Sequence, residues 1–268
     1  MEKMTGIMAG WLIMSATEAK KDYGFVVENG KIVEIVPNEK LLGKEGVIDA
    51  RDSIVCPTFT NTHTHFYETL AHGATEPNLS LKPLLEDFWW PVVENRQTLE
   101  TIRISTEYSA LESMTSGVTL CNDILEAPFA ERGKRLLTEQ AVIRKAGMKA
   151  VLSLESNERI STENGYENLE ENKNFILKMR ETGNSDIRGT ICTHTTFSCS
   201  TPFLMKAAGM ARDMDEYIQI HMNEGPDEDK CCVDKYGMTT AELYKKIGFW
   251  EGGKAWANQC SCMEPVEL

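Results

Sequence analysis

Five histidines occur in this chain, and four of them follow short apolar runs. His63 and His65 stand one residue apart in Thr60-Asn-Thr-His-Thr-His65, directly after Ser53-Ile-Val-Cys-Pro-Thr-Phe59. His194 follows Arg188-Gly-Thr-Ile-Cys192, and His221 follows Tyr217-Ile-Gln-Ile220. Residues i and i+2 of a strand point the same way, so His63 and His65 can offer two imidazoles to one ion from a rigid wall. A catalytic zinc takes three protein ligands and keeps a position for water, and His221 is the natural third. Glu224 lies three residues beyond, in His221-Met-Asn-Glu224. A carboxylate there can carry a proton from water to a leaving group, the task of a general acid/base. The rival reading makes Glu224 a solvated residue opening the acidic loop Gly225-Pro-Asp-Glu-Asp229.

Other residues carry weaker signals. Trp89-Trp90 can line a pocket for a planar substrate, with buried packing as the rival reading. His72 reads as a surface or structural residue, and Asp123 as a cap or salt-bridge partner rather than a site residue. Cys231-Cys232 are adjacent, so their side chains diverge from any shared ion; Cys260-x-Cys262 lacks the second pair that a structural zinc site uses.

Placing these side chains together requires a fold that gathers strand ends. Tyr23-Gly-Phe-Val-Val27 and Ile32-Val-Glu-Ile-Val36 flank Glu28-Asn-Gly-Lys31, a strong hairpin signal, so residues 1–57 read as a small antiparallel sheet. Apolar runs then alternate with helical patterns. Residues 98–116 read as a helix with Thr98 as N-cap and Gly117 as its stop, followed by Val118-Thr-Leu-Cys121 as a strand. Helix 135–146 stops at Gly147 before the strand Lys149-Ala-Val-Leu-Ser-Leu154. The polar stretch 155–171 reads as a loop feeding a helix to Met179, and 188–192 as the next strand. Helices at 201–212 and 239–247 and strands at 217–220 and 254–257 complete about six βα units. Strands alternating with helices predict a parallel sheet, whose carboxyl ends meet at one face. His63, His65, Asn122-Asp123, Glu155, His194 and His221 all fall at such ends.

Composition narrows the function. A chain of 268 residues and 30.1 kDa buries one sizeable core. With 28 Lys+Arg against 41 Asp+Glu, its net charge of −13 repels phosphate backbones and anionic membranes, so nucleic acid and lipid are poor partners and a small-molecule substrate is expected. Eight scattered cysteines read as reduced thiols of a cytoplasmic protein. Gly6-Ile-Met-Ala-Gly-Trp-Leu-Ile-Met14 imitates the apolar part of a signal peptide, but the charge before it is thin.

The ordered segments Pro57-Thr-Phe-Thr-Asn-Thr-His-Thr-His65, Ser116-Gly-Val-Thr-Leu-Cys-Asn-Asp123, Thr193-His-Thr-Thr-Phe-Ser-Cys-Ser200 and Ile218-Gln-Ile-His-Met-Asn-Glu224 resemble the amidohydrolase superfamily. The branch is that of the cytosine-deaminase-like aminohydrolases and chlorohydrolases, which includes S-adenosylhomocysteine/methylthioadenosine deaminases. Phe88-Trp89-Trp90 and His65-Phe66-Tyr67 lean toward its SsnA-like aminohydrolases. The resemblance runs from about residue 20 to the last residue. It implies an α/β fold: a TIM-type (β/α) barrel over residues 58–268, incomplete at about six βα units, beside an N-terminal β-sandwich-like subdomain of which residues 1–57 form one half. It implies His63, His65 and His221 as ligands of one divalent metal, zinc with iron as the alternative. Glu224 becomes the proton shuttle, and His194, with Trp89, the substrate contact. The reaction implied is hydrolysis of a non-peptide C–N bond, the deamination of a heterocyclic amine by metal-activated water.

The resemblance has gaps. The family keeps a histidine after strand six, where Ala257-Asn-Gln-Cys-Ser-Cys262 offers Gln259 or Cys262. The family's strand-eight aspartate has no counterpart before Leu268, which suggests a chain cut short. An open barrel leaves unpaired edges that invite association, a homo-oligomer being one way to cover them. The competing function is therefore a catalytically defective fragment that keeps a three-histidine metal-binding remnant.

Overall fold

The computed structural model describes residues 5–74, 79–183 and 185–263. The chain divides into two units at residues 59 and 60. In the first, β1 (Gly6–Ser15), β2 (Glu18–Lys21), β3 (Tyr23–Glu28), β4 (Lys31–Pro37) and β5 (Val47–Val55) form a five-stranded sheet in the order β2-β1-β3-β4, with β5 on β1. The hairpin is present, with Asn29 and Gly30 both at positive φ as its turn requires. The sheet is not wholly antiparallel, because β5 runs parallel to β1. The signal-like stretch is β1, flanked by strands on both sides. Met8, Val36 and Leu41 are its buried core.

The second unit alternates strand and helix. β6 (Phe59–Thr64) leads through a short 3₁₀ turn over Phe66–Ala71 to α1 (Leu81–Pro83), which continues in π-type turns over Leu84–Val93. Next come α2 (Leu99–Thr115), β7 (Val118–Leu125), α3 (Arg135–Ala146), β8 (Lys149–Leu154) and α4 (Thr162–Thr182). β9 (Ile187–Gly189), β10 (Ile191–Thr193), α5 (Thr201–Asp213), β11 (Ile218–Met222), α6 (Pro226–Tyr236), α7 (Thr240–Lys246) and β12 (Ala255–Gln259) complete the order. Strands run β6-β7-β8-β9 in one sheet and β10-β11-β12 in another, joined where Ser156 bridges Thr193; the result is an incomplete (β/α) barrel.

Local chemistry sets most boundaries. Thr98 caps α2 by accepting from the Thr101 N–H, and α3 and α4 end on Gly147 and Gly183 in left-handed conformation. Three elements depart from the sequence reading. The strand expected at 188–192 is two strands, because at Thr190 the backbone N–H turns to the Leu152 carbonyl and the hydroxyl to the Tyr217 carbonyl. The expected loop through residue 171 ends early. Ser161 caps α4 at 3.0 Å from the Asn164 N–H, and the buried face of that helix includes Asn164, Asn168 and Asn172, which hid its apolar periodicity. Two of these asparagines are anchored to backbone, Asn168 donating to the Glu155 carbonyl and Asn172 bridging both backbone groups of Leu154. The acidic loop after Gly225 is the helix α6, opened by Pro226.

Two apolar cores flank the parallel strands. One gathers Ile102, Leu125, Leu136, Leu152 and Phe175; the other gathers Phe203, Leu204, Ile220 and Tyr244. Between α3 and α4, the fully buried Arg135 pairs with Glu171 at 2.6 Å and donates to the Ala127 carbonyl and Asn168. Among the described residues, no helix is long and apolar enough to cross a membrane.

Candidate metal and catalytic site

His63 lies near the end of β6 and His65 directly after it, where the chain turns into the 3₁₀ segment. His65 donates from Nδ1 to the Ile124 carbonyl on β7 at 2.9 Å, so its Nε2 carries the lone pair. That Nε2 faces Nε2 of His221, on β11, at 3.2 Å. The His63 ring centroid is 4.9 Å from that of His65 and 5.1 Å from that of His221. One nitrogen of each of the three rings lies within 4.8 Å of the others.

Electrostatics keep these rings neutral. Burial, then the neighbouring His221, lowers His63 to about 4; burial likewise brings His221 to about 4 and holds His65 well below the ordinary range. Neutral imidazoles are the ligand form. Two lone pairs facing each other at 3.2 Å repel unless a proton or cation lies between them. Tetrahedral zinc, with Zn–N of about 2.0–2.1 Å, sets its nitrogens roughly 3.3 Å apart. The set of residues therefore fits a divalent ion.

A buried carboxylate stands behind His221. Glu155, at the end of β8, places Oε2 3.2 Å from His221 Nδ1, an atom without another partner. His194 follows β10 and is buried, its Nδ1 2.5 Å from the Ser198 hydroxyl and its ring 5.5 Å from that of His221. Glu155, His194 and His221 also form a mutually close set of ligand atoms, sharing His221 with the first set. The Glu224 carboxyl is raised by burial, while His221 pulls it down.

Charged groups continue outward from Glu155. The Arg159 side chain is 4 % exposed and reaches both Glu94 and Glu126 at 2.9 Å, and Tyr67 donates to Glu94 at 3.0 Å. Burial raises Glu126 and Glu155 to about 7. Gly165 lets α4 approach this loop, since a Cβ there would stand 2.6 Å from the Asn157 carbonyl. Under the histidines, Gln219 donates to Asn122 and Ser153 and accepts from Asn122 and Asn258, joining β7, β8, β11 and β12.

The structure thus brings together His63, His65, His194 and His221, with Glu224 adjoining. The Trp89 indole donates to Glu68 at 2.9 Å and packs against the core, whereas the ring beside His194 is Trp90, at 6.1 Å. The helical turns at 84–93 send the two indoles to different sides. His72 is exposed. Gln259, rather than Cys262, reaches the histidines: its amide nitrogen is 2.7 Å from His63 Nε2, whereas the Cys262 thiol contacts the Glu224 carbonyl. Glu155 stands among the strand-end residues of the sequence without an assigned chemistry, and Arg159 and Glu94 have no place in that set. Glu155 is a charge directly after the apolar strand 149–154, whereas Arg159, five residues past it, and Glu94 have no such local signal.

Residues 54–268 match the profile described as the amidohydrolase family. The chain is 29% identical over 250 residues to a 5'-deoxyadenosine deaminase of Methanocaldococcus jannaschii, covering 92% of this chain and 57% of that one. It is 28% identical over 229 residues to a 5-methylthioadenosine/S-adenosylhomocysteine deaminase of Carboxydothermus hydrogenoformans, covering 84% and 50%. It spans about half the length of these curated relatives. Among solved structures, a guanine deaminase from C. acetobutylicum with bound guanine superposes with a TM-score of 0.83 at 19% identity, covering 98% of this chain and 64% of that one. A zinc-bound adenosine deaminase from Xanthomonas campestris gives 0.82 at 19% identity, covering 95% and 57%.

Proposed function

The chain belongs to the amidohydrolase family, and from that premise we propose that it hydrolyses a non-peptide C–N bond, releasing ammonia from a heterocyclic amine. The observation that carries this reading is the convergence of His63, His65 and His221, all three neutral, with Nε2 of His65 and Nε2 of His221 facing each other at 3.2 Å. These three hold one divalent ion, zinc with iron as the alternative. When bound, such an ion supplies Lewis acidity, bringing the pKa of a water to about 7 so that hydroxide is available near neutral pH.

The chain's own residues do the rest. Glu155 orients His221 through Nδ1, and the Ile124 carbonyl orients His65 through its Nδ1–H. Glu224, its carboxyl raised by burial, takes a proton from water and returns it to the departing nitrogen. His194, held by Ser198, offers its other ring nitrogen to the substrate, and Trp90 beside it supplies a flat apolar wall for a planar ring. The amine deaminated is of the purine kind that the relatives' names carry.

The second reading, a catalytically defective metal-binding remnant, is favoured by one contact: the Gln259 amide occupies His63 Nε2, where the family has an imidazole nearby. One experiment separates the two. The purified chain is assayed for bound zinc and iron and for ammonia release from a panel of aminated heterocycles. Stoichiometric metal, with both metal and turnover lost in His221→Ala, supports the enzyme. Metal without turnover favours the remnant, and absence of metal overturns both.

A further inference from the structure

The helix α6 begins in the run first read as a solvated acidic loop, yet Glu228 in its first turn is fully buried. Its Oε1 accepts from the Thr196 N–H at 2.9 Å and the Thr196 hydroxyl at 3.0 Å. Its Oε2 accepts from the Asn223 N–H at 2.6 Å. Thr196 lies two residues beyond His194, and Asn223 stands between His221 and Glu224. Asn223 is in left-handed conformation, φ 48°, which a non-glycine residue adopts only where its surroundings hold it. Its carbonyl in turn accepts from the Cys262 N–H at 2.9 Å, so the segment after β12 is tied to the same point.

We propose that Glu228 is a positioning residue whose single buried carboxylate, bonded to the backbone of both Thr196 and Asn223, fixes the loop of His194 against the Asn223-Glu224 segment that leaves β11 just after His221. The physical reason is directional. Glu228 projects from the first turn of α6, and a carboxylate offers two acceptors on one planar group. One side chain can therefore set the separation of two loops that share no ladder hydrogen bond beyond β10 and β11. The assignment of roles to His194, His221 and Glu224 rests on the proposed function; the clamp itself does not.

The test uses the full chain with Glu228→Gln and Glu228→Leu. Gln keeps one acceptor oxygen and turns an NH₂ toward the other N–H, so it opens one link; Leu opens both. Hydrogen–deuterium exchange of peptides spanning Thr196 and Asn223 should accelerate by about tenfold to a hundredfold, the factor that corresponds to losing a hydrogen bond to a charged group. Peptides from β7 and β8 should be unchanged. With Co²⁺ as the probe, the visible spectrum of the Gln variant should differ from that of the parent, because the end of β11 that carries His221 loses the tether at Asn223. Unaltered exchange at Thr196 and Asn223, or acceleration spread evenly over the chain, overturns the proposal. Should the Leu variant fail to fold, the Gln variant decides alone. A parent chain that gives no Co²⁺ spectrum counts against the metal reading, and the exchange result still decides the clamp.

Discussion

Nε2 of His65 and Nε2 of His221 face each other at 3.2 Å, although 156 residues separate them in the chain. Nothing local to either histidine brings this about. β6 and β11 lie in different sheets, and the polar layer beneath the site links them: Asn122 donates both to the Thr62 carbonyl, beside His63, and to Gln219, two residues before His221.

That layer gives the first prediction. Gln219→Leu removes a buried hub and leaves Asn122, Ser153 and Asn258 short of partners. Unsatisfied buried groups of this kind cost about 1–3 kcal/mol each, so the urea midpoint should fall and zinc affinity with it. Affinity unchanged beside lowered stability would show that the layer supports the fold without registering β11 on β6.

Glu155→Gln should weaken zinc binding by about 10- to 100-fold, the usual effect of removing a partner that orients a ligating histidine. Competition with a chelator measures it. Equal affinity in parent and variant would mean that the 3.2 Å approach to His221 Nδ1 has no orienting role.

A pair of buried carboxyls behind the site gives a pH prediction. Asp123 accepts the Phe66 N–H at 2.7 Å, and its second oxygen, like both oxygens of Glu139, finds no donor if both groups are ionised. Burial raises both acids, Glu139 further through the charge of Asp123, and a proton shared between them supplies the missing donor. Folded-state values above the unfolded ones mean stability that is complete below the unfolded pKa and lost as pH rises through the neutral range. Glu139→Gln carries a permanent donor to Asp123. Its stability relative to the parent should therefore rise between about pH 5 and 8, read from urea midpoints. A difference independent of pH would exclude the shared proton.

Arg135→Met strands Glu171, to which Arg135 is bound at 2.6 Å with both side chains buried. Breaking a buried pair from one side costs about 3–5 kcal/mol, whereas Arg135→Met with Glu171→Leu should recover much of it. Calorimetric unfolding of the single and double variants checks the order. A single variant as stable as the double one would show that the Gly133 N–H, 2.7 Å from Glu171, satisfies it alone.

Much of the fold is legible in the chain itself. Asn29-Gly30 marks the hairpin, Thr98 and Gly147 mark helix ends, and the alternation of apolar runs with helical patterns predicts parallel strands. His63 and His65 announce themselves because their spacing is local to one strand, and a strand's period of two is independent of the rest of the molecule. The sequence also singles out His194, His221 and Glu224, since each follows an apolar strand and such ends converge. What it conceals depends on partners distant in sequence. Trp89 and Trp90 are adjacent and chemically identical, so only packing decides that Trp90 meets His194 while Trp89 meets Glu68. The asparagine-lined face of α4 and the buried Glu228 look solvated in the chain, because a polar residue reads as exposed until its donors are in place. Composition and periodicity thus determine most of the strands and helices and which face carries the histidines. Tertiary hydrogen bonds decide which carboxylates and rings stand behind them, because the burial of a polar group is settled only by the partner that satisfies it.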